Sequence, residues 1–256
     1  MTKISHGLLK CKIDVRKKVF KQIFESLGPN LRMFISGGAA ISKEAIKAFR
    51  DIGINLLQGY GLTETSPVIS AENVKKKKSG SIGFPMDNVE VEIVNNDENG
   101  IGELRVKGPN VMLGYYENEE ETNKVIKDGW FYTGDLGYFD EEGYLFLTGR
   151  QKDMLVLKNG KKVFPDELEI VINRLNLVKE CIVYGIPDEK DKNDYKLSVK
   201  IVYDPEVAKQ LYPNATEEDL RKILWEQIKE INKTFPPYKY IKHMILTAQE
   251  LVTSTT

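Results

Sequence analysis

Two short apolar runs, at 31–35 (LRMFI) and 54–58 (INLLQ), flank a single helical period, and each runs straight into glycine. No other feature narrows the possible folds as much. Between the runs, Ser42 is a fitting N-cap, Ala45, Ile46 and Phe49 recur at helical spacing, and Gly53 stops the pattern. Strand, helix and strand joined by tight loops call for a partial parallel α/β layer. The glycine segments SGGAA (36–40) and GYGLTET (59–65) both follow strands. They are expected as loops at the carboxyl edge of the sheet, where ligands of such layers bind. Upstream, Val15, Val19, Phe20, Ile23, Phe24 and Leu27 predict one helix over 14–27, ended by Gly28-Pro29.

The texture changes near Lys75. VEVEIV (89–94) alternates, NNDENG (95–100) turns, IGELRVKG (101–108) returns, and DEEG (140–143) precedes YLFLTGR. This predicts an antiparallel β-rich subdomain. Beyond about 151 both periods mix. A helix is expected over 165–175 with Pro165 at its first position, CIVYGI and KLSVKIVY are strands, and Thr216 opens an amphipathic helix over 216–232. That helix carries an apolar face of Leu220, Ile223, Leu224, Ile228 and Ile231, suited to packing on a small sheet. The expected fold class is therefore multidomain α/β. Residues 1–150 form one part (1–78 α/β, 79–150 β-rich), and 151–256 form a small α+β domain.

Composition removes whole classes. Of the 256 residues, 41% are hydrophobic and 29% charged, which excludes collagen-like and wholly disordered chains. The apolar runs fall far short of the ~20 residues a membrane helix needs. The first residues lack a secretory pattern, and Cys11 and Cys181 lie too far apart for a metal knuckle or a disulfide framework, so a cytoplasmic location is expected. A net charge of -1 argues against a general hold on nucleic acid. The four lysines at 75–78 are then expected as a solvated loop, Trp130, Phe131 and Tyr132 as core, and His6 and His243 as bystanders.

Three segments bear chemistry. In GYGLTET, Gly59 and Gly61 bracket Tyr60, presenting its ring as a stacking surface, while Thr63 offers a hydroxyl and Glu64 a carboxylate. A hydroxyl for phosphate beside a carboxylate for magnesium suits nucleotide chemistry; a tight turn with Tyr60 packed in the core fits as well. Gly37-Gly38-Ala39 is a small-residue turn against which a planar base or an acyl chain has room to lie. WFYTGDLGYFDEEGYLFLTGR (130–150) places Asp135 after Gly134 and Arg150 after Gly149. A carboxylate accepts two ribose hydroxyls and a guanidinium forks onto ribose or phosphate; a turn aspartate and a surface arginine are the plainer alternative.

Taken in order, SGGAA, QGYGLTET, GELRVKGPNVMLGYY, YTGD and TGRQKDMLVLKNGKKVFPDELE resemble the adenylate-forming superfamily of acyl-CoA synthetases, peptide-synthetase adenylation domains and beetle luciferases. NGKKVFPDELE and RKKVFKQIFESLGPNLRMFISGGA look most like long-chain fatty acyl-CoA synthetases. The resemblance implies two half-reactions: a carboxylate and ATP·Mg²⁺ give acyl-adenylate and pyrophosphate, and the thiol of coenzyme A then displaces AMP. It implies that Tyr60 stacks on adenine, Gly38 and Ala39 border the adenine and acyl pocket, and Thr63 contacts the α-phosphate. Glu64 would ligate magnesium, Asp135 would hold the ribose and Arg150 would assist at ribose or phosphate. Lys152 falls at the superfamily's hinge, and the loop with Lys158 and Gly160 would line the thiol tunnel.

The superfamily's phosphate loop and terminal catalytic lysine have no match within this sequence. The expectation is therefore a fragment of a larger synthetase, inactive or nearly so alone, with exposed sheet surface that promotes homodimerisation or other association. Two alternatives stay open: a non-catalytic nucleotide-binding or interaction module, and a fragment of a peptide-synthetase adenylation domain.

Overall fold

The computed structural model describes residues 14–28, 30–39, 41–187 and 195–251. His6, Cys11 and Ala40 lie outside them. The chain divides into two compact units, Met1–Thr148 and Gly149–Thr256.

In the first unit, α1 (Arg16–Val19) and α2 (Lys21–Leu27) precede β1 (Met33–Ser36), α3 (Lys43–Ile52) and β2 (Asn55–Gly61). The single helix expected over 14–27 is thus broken at Phe20. Neither piece has a side-chain cap or a buried residue, and without a packed apolar face little holds a helix continuous. By contrast α3 forms as expected. Ser42 Oγ accepts from the Ala45 N–H, Gly53 closes the helix in the left-handed region at φ 95°, and Ile46 is fully buried. Phe49 meets Phe34 of β1 edge-on at 6.0 Å.

β1 and β2 pair in parallel, Met33 with Asn55 through Ser36 with Gln58. Beyond Gln58, β2 does not become a loop. Gly59, Tyr60 and Gly61 remain strand and pair antiparallel with β3 (Val68–Ala71), which pairs with β4 (Phe84–Pro85). The reason lies at Gly61, where a Cβ would stand 1.8 Å from the Pro67 carbonyl oxygen. Its absence lets the returning chain close on the strand.

The β-rich part holds β5 (Glu90–Val94), β6 (Gly102–Lys107), α4 (Glu119–Val125), β7 (Ile126–Lys127), β8 (Trp130–Phe139) and β9 (Leu145–Arg150). β5, β6, β8 and β7 pair antiparallel in that order, and β9 pairs with β8. Ile82, Leu104 and Leu145 form its buried centre. α4 escaped the alternation pattern, although Asn118 caps it and three glutamates fill its first turn.

Two expectations need correction. The lysines at 75–78 are not simply solvated: Lys77 donates to Asn55 Oδ1 at 2.7 Å, and Lys78 pairs with Asp140 at 2.7 Å and Glu142 at 2.9 Å. Glu72, buried behind them, accepts the Lys78 N–H. Of the aromatic trio only Phe131 is buried; Trp130 lies under the Arg105 guanidinium at 4.6 Å.

The second unit contains the β10 (Leu155–Val156) and β11 (Lys162–Val163) hairpin, α5 (Pro165–Ile172), β12 (Val178–Pro187) and β13 (Tyr195–Tyr203). α6 (Pro205–Leu211), α7 (Glu217–Asn232) and β14 (Ile241–Thr247) complete it. β13 is central, antiparallel to β12 and parallel to β14. Val163, Leu168, Ile172, Val199, Leu224 and Ile228 are fully buried in one continuous core. No helix among the described residues is long and apolar enough to cross a membrane.

Candidate functional site

At the carboxyl end of β1 the chain turns through Gly37 and Gly38. Gly38 adopts φ 83°, a left-handed conformation that glycine takes without strain. A Cβ on Gly37 would lie 3.2 Å from the Gly59 carbonyl oxygen, so the two glycine segments run side by side. Gly38 and Ala39 are exposed.

One residue beyond Gly59, the Tyr60 ring packs against the Ile82, Leu104 and Leu145 cluster, and its hydroxyl donates to Asp135 Oδ2 at 2.5 Å. Asp135 is buried within β8, not at a strand end. The β6–β8 register shifts there, leaving 133–135 opposite Leu104. Gly134 takes φ 71° and its N–H donates to Glu103 Oε1, while Thr133 Oγ1 accepts the Asp135 N–H at 3.1 Å. An irregularity of this kind re-aims one side chain out of a flat ladder.

The strand ends in a short 3-10 turn at Thr63–Thr65. Thr65 is fully buried; its hydroxyl accepts the Leu62 N–H at 3.1 Å and lies 2.8 Å from the Pro67 carbonyl. That clamp leaves Thr63 exposed and fixes Glu64. The Glu64 carbonyl accepts the Met112 N–H at 2.8 Å, and Glu64 Oε1 accepts the Tyr115 hydroxyl at 3.0 Å. Burial, followed by the Glu64 carboxylate, pushes the Tyr115 phenol above its ordinary pKa.

The geometry therefore gathers Gly37, Gly38, Gly59, Tyr60 and Asp135, with Glu64 on the turn that follows and Tyr115 reaching it from a distant segment. Tyr115 and Thr65 were not singled out in the sequence. Both lie within recognised motifs, but nothing in the pattern pairs an aromatic hydroxyl with an acid 51 positions away.

The remaining candidates lie in the second unit. Arg150 ends β9, Lys152 sits in the turn Gln151–Asp153, and Lys158 and Gly160 occupy the tip between β10 and β11. All four are exposed, and Gly160 adopts φ 77°. Within that unit, burial and then the Asp153 charge raise the Asp166 pKa, while Arg150 works against the rise. Burial also raises the Glu169 pKa, opposed by the Val183 N–H it accepts.

Comparison with known families decides what this arrangement belongs to. Residues 6–116 match the AMP-binding enzyme family, and residues 152–255 match the AMP-binding enzyme C-terminal domain. The chain belongs to the AMP-binding enzyme family. The AMP-binding relatives include a long-chain-fatty-acid–[acyl-carrier-protein] ligase of Arabidopsis thaliana, 33% identical over 84% of this chain and 31% of that protein. A long-chain-fatty-acid–CoA ligase of Escherichia coli is 37% identical over 80% of this chain and 36% of its own length. Among solved AMP-binding structures, O-succinylbenzoate coenzyme A synthetase of Bacillus subtilis in complex with ATP and magnesium is 28% identical. It has a TM-score of 0.69, covering 85% of this chain and 43% of that one. An anthranilate CoA ligase, at 24% identity and a TM-score of 0.68, shares the fold. The chain spans about a third of the length of the curated AMP-binding relatives it matches.

Proposed function

We propose that this chain carries the adenosine-binding part of an AMP-forming acyl-CoA synthetase acting on ATP, a long-chain fatty acid and coenzyme A. The observation that carries the reading is the Tyr60–Asp135 hydrogen bond. It joins a ring suited to stacking on a base to a buried carboxylate suited to two ribose hydroxyls, beside the open glycine turn at Gly37–Gly38. In the same reading Ala39 borders the base and acyl pocket, Gly59 and Gly61 keep the backbone close to the ligand, and Thr63 donates its hydroxyl to the α-phosphate.

The fatty carboxylate oxygen attacks the α-phosphorus as the bond to the β-phosphate breaks, giving acyl-adenylate and pyrophosphate. A thiol then attacks the acyl carbon and AMP leaves. Among the described residues no group of three or more His, Cys, Asp or Glu could hold a metal. In this reading Glu64 would offer magnesium a protein carboxylate, with phosphate oxygens and water completing an oxygen shell. Its chemistry is to neutralise charge on the transferring phosphoryl group. Tyr115 keeps the Glu64 carboxylate in place for that task. Arg150 acts at ribose or phosphate, Lys152 serves as hinge, and the loop with Lys158 and Gly160 lines the thiol path. The corresponding division is 1–150 for the nucleotide part and 151–256 for a mobile domain.

Titration calorimetry with AMP tests the reading. Asp135→Asn should weaken AMP binding by about tenfold or more, the loss expected for a charge-assisted hydrogen bond. Glu64→Gln should keep AMP affinity while removing the magnesium dependence of ATP binding. AMP held equally by the Asp135→Asn variant and the unaltered chain would overturn the assignment.

A further inference from the structure

At the opposite, amino end of β1 and β2 lies a cavity of about 460 Å³, within the size range of small-molecule sites. Arg16, Lys17, Arg32, Arg50 and Lys77 line it, and among the described residues Asp14 is its only acidic wall. The accounting of partners is uneven. Asp14 pairs with Arg16 at 2.7 Å, and Arg16 Nη1 also donates to the Arg50 carbonyl at 2.6 Å. Arg50 Nη2 reaches the buried Glu72 at 3.2 Å, while its Nε is shut away from solvent with no acceptor. The Lys77 ammonium donates to a neutral acceptor, Asn55 Oδ1, and is also within reach of the Glu72 charge. Arg32 has no carboxylate partner among the described residues, and the Lys17 charge acts on Asp14.

Five cations thus line one cavity against two carboxylates, Asp14 in its wall and the buried Glu72 beside Arg50, so positive charge is in excess. Burial and then the Arg50 charge depress the Lys77 pKa, while the Glu72 charge works against the fall. Phe24, Leu31 and Ile54 supply an apolar wall. Asn55 and Tyr60 are five steps of extended strand apart, about 17 Å at ~3.3 Å per step, so the cavity is separate from the nucleotide cleft.

We propose that this cavity binds a phosphorylated small molecule, its phosphate held by Arg32 and Lys77 and its organic part against Phe24. Charge-assisted contacts from guanidinium and ammonium groups are the strong ones for phosphate oxygens.

Calorimetry on the chain at low salt, with inorganic phosphate and with phenyl phosphate as probes, tests this. Saturable binding is expected, weakened about tenfold by Arg32→Gln and by Lys77→Gln, and unchanged by Tyr60→Phe at the far end of β2. Arg32→Gln, altering an exposed side chain, carries the test should Lys77→Gln disturb the fold. Tighter binding of phenyl phosphate, lost in Phe24→Ala, identifies an organic ester as the occupant; equal binding of the two probes identifies free phosphate. Absence of saturable binding, or equal affinity in the Arg32→Gln, Lys77→Gln and unaltered chains, overturns the proposal.

Discussion

Helices α2 and α7 both present an apolar stripe, and the fold treats them in opposite ways. In α7, Thr216 Oγ1 accepts the Asp219 N–H and the Asp219 carboxylate accepts the Thr216 N–H, a reciprocal cap. Leu220, Leu224, Ile228 and Ile231 are buried against the second unit's sheet. α2 has no side-chain cap and buries nothing, leaving Ile23 40% and Leu27 43% exposed. In the same unit, Ile35 of β1 is 69% exposed. A period of apolar residues specifies a helix with a face; whether that face has a partner depends on what the rest of the chain supplies.

The largest effect that sharpens this contrast is a cavity. Leu224→Ala should destabilise the second unit by about 2–5 kcal/mol, whereas Ile23→Ala should stay within about 0.5 kcal/mol. Denaturation followed by hydrogen exchange, along β13 for Leu224→Ala and along β2 for Ile23→Ala, measures the two, and equal losses would break the contrast. Cys181 gives a second readout. Burial, with Glu169 and Glu180 nearby, pushes its thiol up to about 12. The folded state therefore favours the protonated thiol. Stability from this group is present below the ordinary value of 9.0 and declines as pH rises toward 12. At about pH 8.5 alkylation of Cys181 should report opening of the core, and Leu224→Ala should accelerate it.

A smaller effect separates two glycines of one motif. Gly61→Ala drives a Cβ onto the Pro67 carbonyl, whereas Gly59→Ala meets its first neighbour, Ser70 O, at 3.6 Å. The first should cost about 1–3 kcal/mol and disturb the Glu64 turn. The second should leave stability nearly unchanged, and thermal melts of both compare them directly.

These elements also mark how far the sequence was legible. Caps are local chemistry, so Ser42, Gly53, Pro165 and Thr216 announced their helices, and the parallel pairing of β1 with β2 followed from two apolar runs around one helix. What depends on two distant segments stayed hidden. The strand nature of Gly59–Gly61 needs Pro67 to close on Gly61, and the seating of Lys77 and Lys78 needs Asn55 and Asp140. At the site, residue types singled out Tyr60, Glu64 and Asp135 as candidates, and the fold brings Tyr60 and Asp135 together. The Tyr60–Asp135 and Tyr115–Glu64 contacts span 75 and 51 positions, beyond any local pattern.

The smallest effect concerns the cap itself. Thr216→Ala removes the acceptor for the Asp219 N–H and leaves the Asp219 carboxylate without the Thr216 hydroxyl, which stands 2.7 Å away. A loss of about 1 kcal/mol is expected. Thr216→Ser should stay within a few tenths of that starting stability, since its hydroxyl serves equally well. Because the cap lies at the exposed end of a packed helix, the loss should fray the first turn while exchange at Leu224 and Ile228 stays slow. If Thr216→Ala instead opened the whole helix, α7 would depend on its terminus as α2 does on nothing, and packing would no longer explain why one helix is continuous and the other is broken.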